Sequence, residues 1–134
     1  MEPARILILD DERSGVQHLF DALNEYHRIQ YCRNIHEAKG ELENKNYDLV
    51  VCGVHLLYES MFDFLHDMRQ TARGKGIPFV CFRAVETKLG QQLDAPVEAA
   101  ARMLGADDYL IVETDHADAA ALRERIESSL RRAP

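Results

Sequence analysis

The strongest constraint on this chain is a repeated alternation between short, continuous apolar runs and longer amphipathic stretches. Residues 6–9 (Ile-Leu-Ile-Leu) form an unbroken apolar run closed by Asp10, Asp11 and Glu12, the pattern of a strand buried on both faces. Val16, Leu19, Phe20 and Leu23 then recur at helical spacing and predict a helix over residues 14–26. A more polar strand, Arg28–Cys32, suits a sheet edge. Asn34 with Glu37 makes a capping pair ahead of Ile35, Ala38 and Leu42. Residues 48–54 form the next buried strand, and Phe62, Leu65, Met68 and Arg69 a third helix stopped by Gly74 and Gly76. Pro78 opens a strand at 79–82, followed by a helix at 95–104 with Asp94 as cap, Pro96 in its first turn and Gly105 at its end. Residues 109–112 are a fifth strand. A last helix over 115–131 is opened by Asp115 and Asp118 and ended by Arg131 and Arg132, as the helix dipole favours. Five strands alternating with five helices build an α/β domain: a parallel sheet with helices on both faces.

Composition narrows the function. At 134 residues the chain is one domain, residues 1–134, with no internal repeat, low-complexity segment or linker. Its net charge of −7 opposes direct binding of nucleic acid or an anionic membrane. No apolar run approaches the ~20 residues of a membrane span, and acids arrive too early for a signal peptide. Three cysteines without CxxC spacing form no disulfide framework, which points to a reducing, cytoplasmic setting. Phosphate-loop, dinucleotide, HExxH and GxSxG motifs are missing, so neither a hydrolase nor a dehydrogenase is supported and no enzyme is expected.

Ligands of parallel α/β sheets sit at the carboxyl ends of the strands. There the acid pair Asp10-Asp11 is the clearest chemical signal. Two hard carboxylates at a strand end suit hydrated Mg²⁺, and equally suit the entry to a helix N-terminus.

Four segments together resemble the receiver domains of response regulators: Ile6-Leu7-Ile8-Leu9-Asp10-Asp11-Glu12, Tyr47-Asp48-Leu49-Val50-Val51, Ile77-Pro78-Phe79-Val80 and Gly105-Ala106-Asp107-Asp108-Tyr109-Leu110. The likeness runs over essentially the whole chain and implies a flavodoxin-like sheet of order 2-1-3-4-5. In that family an aspartate ending the third strand accepts a phosphoryl group from a histidine kinase, with Mg²⁺. A Thr or Ser ending the fourth strand and a Lys ending the fifth hold the phosphoryl oxygens. Counted from the matching segments, those three positions hold Gly53, Arg83 (followed by the small residue Ala84) and Val112. Glu113 stands where a proline usually follows. The resemblance therefore implies a degenerate receiver without acyl-phosphate chemistry.

Further expectations follow. Mg²⁺ binding is weak or absent, its remaining ligands being Asp10, Asp11 and the carbonyl of His55, and no other cofactor is expected. The Arg83 guanidinium pairs with Asp10 or Asp11 in place of metal and lysine, or else lies out along the surface. Residues 85–93 form an extended loop. Tyr109, the aromatic of the family's relay to the helix 4–strand 5–helix 5 surface, is fixed either in an interaction surface or in the edge core. Cys52 and Cys81 are core residues, and Cys32 is partly exposed. His55 is a loop residue. Leu56, Leu57, Tyr58, Met61 and Phe62 form the third helix's buried face or a docking patch. The expected function is a phosphorylation-independent interaction or dimerisation module of bacterial signalling or transcriptional control. Its partner is another protein or a fused output domain, with helix 4–strand 5–helix 5 as the surface for a homodimer. The alternatives are an unconventional phosphoacceptor (Glu59, Asp10 or Asp11) and a small-molecule or anion sensor using the cleft at Gly53 and Arg83.

Overall fold

Each strand divides its side chains between two helical layers, because successive residues of a strand point to opposite faces. The computed structural model describes residues 1–11, 13–54, 56, 59–83, 88–112 and 118–132. The elements are β1 (Arg5–Leu9), α1 (Arg13–Leu23), β2 (Arg28–Cys32), α2 (Ile35–Asn44), β3 (Leu49–Gly53), α3 (Met61–Arg69), β4 (Phe79–Arg83), α4 (Lys88–Met103), β5 (Asp108–Ile111) and α5 (Ala119–Arg132). The strands form one parallel sheet of order β2-β1-β3-β4-β5, the flavodoxin-like order expected.

Leu7, Leu9, Val50, Cys52, Phe79, Cys81 and Tyr109 face one layer, where they pack with Ala38 of α2, Phe64, Leu65 and Met68 of α3, and Ala101 of α4. Ile6, Ile8, Leu49, Val51, Val80, Phe82, Leu110 and Val112 face the other, against Val16, Leu19 and Leu23 of α1 and Leu122 and Ile126 of α5. Full burial of each such large side chain stabilises by ~1.5–3 kcal/mol. The two layers together pin every strand, and so fix where the strand ends project.

Local signals place the helices. Asn34 Oδ1 accepts the Glu37 N–H at 2.8 Å while the Glu37 carboxylate accepts the Arg33 N–H at 3.0 Å. Ser60 Oγ caps α3 through the Asp63 N–H, and Asp118 Oδ1 caps α5 through the Ala121 N–H at 2.7 Å. Gly105, at φ 105°, takes the left-handed turn after α4.

Several expectations are corrected. Helix α4 begins at Lys88, not at 95, so residues 88–93 are helical rather than loop, and Asp94 and Pro96 lie inside the helix. Pro96 removes only one backbone hydrogen bond and sits on the exposed side of α4, so it did not have to mark a helix start. Cys32 is buried, because the last residue of β2 lies beneath α2 in the first core. Met61 is buried and Leu56 and Phe62 pack partly against that core, which makes them core rather than docking patch. Leu57, Tyr58, Ala84 and Asp115 lie outside the described residues. No described helix is long and apolar enough to cross a membrane.

Candidate functional site

The carboxyl ends of β1 and β3 meet at Asp10 and Gly53. Leu9 stands in register with Cys52, which sets the next residue of each strand side by side. Asp10 is only 5% exposed. Its N–H donates to the Cys32 carbonyl at 3.2 Å and its carbonyl accepts the Tyr31 hydroxyl at 2.9 Å, so its backbone is fixed from the β2 side. A Cβ built on Gly53 would lie 2.7 Å from Asp10 Oδ1 and 2.9 Å from Cγ. The Asp10 carboxylate thus fills the space that a side chain at 53 would need. Glycine permits this approach; any other residue would have to displace a carboxylate.

This arrangement does not suit the complete Mg²⁺ site of the resembling family. Gly53 supplies no oxygen ligand from a side chain, and the described residues contain no group of three His, Cys, Asp or Glu positioned to share a metal. Asp10 and Asp11 remain the two carboxylates at the strand end, and His55 lies outside the described residues.

On β4 the outcome differs. Arg83 is odd-numbered like Phe79 and Cys81, so strand alternation turns it toward the layer of α3 and α4, whereas Asp10 shares the parity of Ile6 and Ile8. Its side chain, 2% exposed, forms a two-pronged ion pair with Asp94 of α4: Nε to Oδ1 at 2.8 Å and Nη2 to Oδ2 at 2.7 Å. This corrects the expectation that Arg83 lies along the surface, and gives it a partner, Asp94, that was not among the acids expected.

Asp94 also accepts the Tyr109 hydroxyl at 2.7 Å. Tyr109 sits beside Cys81 in the β4–β5 register and is 5% exposed, so it belongs to the edge core, not to an exposed surface. Burial first, then the hydrogen bond to Asp94 and its charge, push the phenol's pKa upward; the Arg83 charge opposes them. The phenol stays protonated and donating throughout the physiological range. Asp94 therefore ties β4, α4 and β5 together with one carboxylate. This corrects the expectation that Asp94 caps the helix. The signal that could have placed it is the spacing Asp94, Val97, Ala101, Leu104, which puts it on the face α4 buries.

The remaining positions are structurally committed. Val112 is fully buried in the α1/α5 core, an apolar contact where the family has a cation. Glu59 accepts the Ile35 N–H through both oxygens at 3.2 and 3.3 Å, capping α2. Burial raises the thiols of Cys32 to about 11 and Cys81 to about 12, which keeps them unreactive.

Beside the triad, the α4–β5–α5 face is knit by charge. Asp108 accepts from Arg102 of α4 at 3.3 Å and from Arg125 of α5 at 3.2 Å, and Arg102 also pairs with Glu98 at 2.8 Å. The outward stripe of α4, by contrast, is uncharged: Gln92, Pro96, Ala99 and Met103 are all exposed.

No protein-family profile and no curated protein matches the sequence. Solved structures do match. A chain described as a response regulator from Chloroflexus aurantiacus superposes with a TM-score of 0.80 at 21% identity, over 98% of this chain and 100% of that one. A two-component response regulator from Clostridium difficile gives 0.73 at 25% identity, over 96% and 97%. The receiver domain of the sensor histidine kinase PA1611 from Pseudomonas aeruginosa, which holds a magnesium ion in its active-site cleft, gives 0.74 at 15% identity, over 96% and 98%. The fold is that of a response-regulator receiver domain, and the resemblance carried by the four sequence segments holds in three dimensions.

Proposed function

We propose that this chain is a receiver-fold module that works by protein contact, without aspartyl phosphate, without catalysis and without a resident cofactor. One observation carries the reading: the place of the phosphoacceptor side chain is taken by the Asp10 carboxylate lying against Gly53. The groups that would report a phosphoryl at the neighbouring strands are also reassigned, Arg83 to Asp94 and Val112 to the core. The same commitments oppose an anion sensor at this spot, since the cation is already neutralised and the gap filled. Glu59 is held as a helix cap, which opposes its use as a substitute acceptor.

The contact surface is α4–β5–α5. It combines a rigid charged frame around Asp108 with the uncharged outward stripe of α4, and its partner is a protein, a fused output domain or a second copy of the chain. The setting is cytoplasmic signalling or transcriptional control. Incubation with acetyl phosphate and Mg²⁺ followed by intact-mass measurement tests the reading. The expected result is an unmodified chain; an adduct mapped to Asp10, Asp11 or Glu59 would make it an unconventional phosphoacceptor instead.

A further inference from the structure

The opposite end of the sheet, where the strands begin, carries a cavity of about 180 Å³ between the β4 approach, the β5 approach and the end of α5. Among the described residues its lining includes Arg69, Lys75 and Arg132 against a single carboxylate, Asp107. That is a locally positive hollow on a protein of net charge −7. Asp107 is occupied: it pairs with Arg69 at 3.5 Å and accepts the Phe79 N–H at 2.8 Å. Arg69 is occupied too, donating to the carbonyls of Gly74, Ile77 and Gly105 at 2.7, 2.7 and 2.8 Å. Lys75 is exposed and makes no ion pair among the described residues, and a Cβ on the adjacent Gly76 would meet nothing within 4 Å. Among the described residues Arg132 holds a 3.3 Å contact to the Ser128 hydroxyl.

A second observation points to a ligand. Ser129 lines the same cavity, is 1% exposed, and its Oγ has no hydrogen-bond partner. A helical serine ordinarily bonds back to the carbonyl one turn earlier. A buried hydroxyl left unsatisfied is costly, and such orphans in native proteins call for an explanation. Two cations and a hydroxyl arriving from separate segments suit an acceptor whose oxygens point in several directions.

We propose that this cavity binds a tetrahedral oxyanion, inorganic phosphate or a small phosphate monoester, held by Lys75, Arg132 and the Ser129 hydroxyl. The site is remote from Asp10 and Gly53 and independent of the reading given for them. The volume admits a phosphoryl group with a short substituent.

The test is titration of the full chain with inorganic phosphate, and in parallel with glycerol 3-phosphate, at constant ionic strength, followed by ¹H–¹⁵N chemical shifts. Saturable shifts at residues 75–77 and 128–132 with either probe are expected, the pair of titrations telling free phosphate from an ester. Ser129→Ala should weaken binding about fivefold while leaving the melting temperature unchanged or raised, because an unpaired hydroxyl has been removed. Lys75→Glu with Arg132→Glu should abolish it. Shifts that stay linear at millimolar concentrations (an adventitious ion only), shifts centred on the carboxyl ends of the strands, or full affinity in Ser129→Ala would each overturn the proposal.

Discussion

At the carboxyl ends of the strands, two neighbouring positions depart from the receiver pattern and are resolved in opposite ways. At β3 a side chain is missing, and the neighbouring carboxylate of Asp10 closes into the space. At β4 a large cation is present, and a helix brings Asp94 to neutralise it. The first change is a subtraction whose space the Asp10 carboxylate occupies. The second is a substitution that builds a new anchor through Tyr109 into β5. Strand parity decides which happens: Asp10 stands on the α1/α5 side, and Arg83 turns to the α4 side. The two halves of the cleft thus face different layers, and each can be perturbed on its own.

The largest effect belongs to the β4 side. Asp94→Ala removes the two-pronged partner of a buried guanidinium and should cost about 3–5 kcal/mol in chemical denaturation. The pair Arg83→Met with Asp94→Leu should recover most of that loss, because well-packed apolar groups replace buried ion pairs at little cost. At the β3 side, Gly53→Ala should destabilise by about 1–3 kcal/mol through crowding against the Asp10 carboxylate. Adding Asp10→Ala should relieve it, and the double-mutant cycle should give a clear coupling energy. A cycle between Gly53→Ala and Asp94→Ala should instead be additive if the halves are independent. Tyr109→Phe, which removes one hydrogen bond to a carboxylate, should cost ~1.5 kcal/mol and loosen α4 in hydrogen exchange.

The smallest effect is a pH dependence shared by the whole sheet. Burial raises Cys32 from 9.0 to about 11 and Cys81 from 9.0 to about 12, and Tyr109 also shifts upward. A group that holds its proton more tightly when folded contributes stability in full below its unfolded pKa and loses it as pH rises through the folded value. Stability should thus decline from about pH 9 upward. Tyr109→Phe should remove only its own share of the part that sets in with tyrosine ionisation, since burial also raises Tyr47 to about 12, and denaturant titrations across this range would show it.

Much of the fold was legible in the residues themselves. The runs at 6–9, 49–54 and 79–82 are apolar on both faces, which only a sheet sandwiched by helices can use. The Asn34–Glu37 cap and the edge character of Arg28–Cys32 likewise rest on local chemistry. The start of α4 was hidden because Lys88, Gly90, Gln91 and Gln92 read as loop and Pro96 as a first-turn residue, while tertiary packing of Val97 and Ala101 supports the longer helix. In the site, the loss of a side chain at Gly53 could be read directly. Its consequence could not, because the approach of Asp10 depends on a cross-strand distance. The Asp94 partner of Arg83 was not legible, because charge proximity says nothing of strand parity and an acid at a helix start reads equally well as a cap.

The central claim is that the cleft is closed and its β4–β5 side already fixed. Its most direct test is a ¹H–¹⁵N spectrum of the wild-type chain with and without Mg²⁺ and beryllium fluoride, a mimic of the phosphoryl group. The account predicts unchanged resonances at Gly53, Arg83 and Tyr109. Shifts that begin at Asp10 and Gly53 and spread through Arg83 to Tyr109 would show a working phosphoryl pocket coupled to α4, and would contradict it.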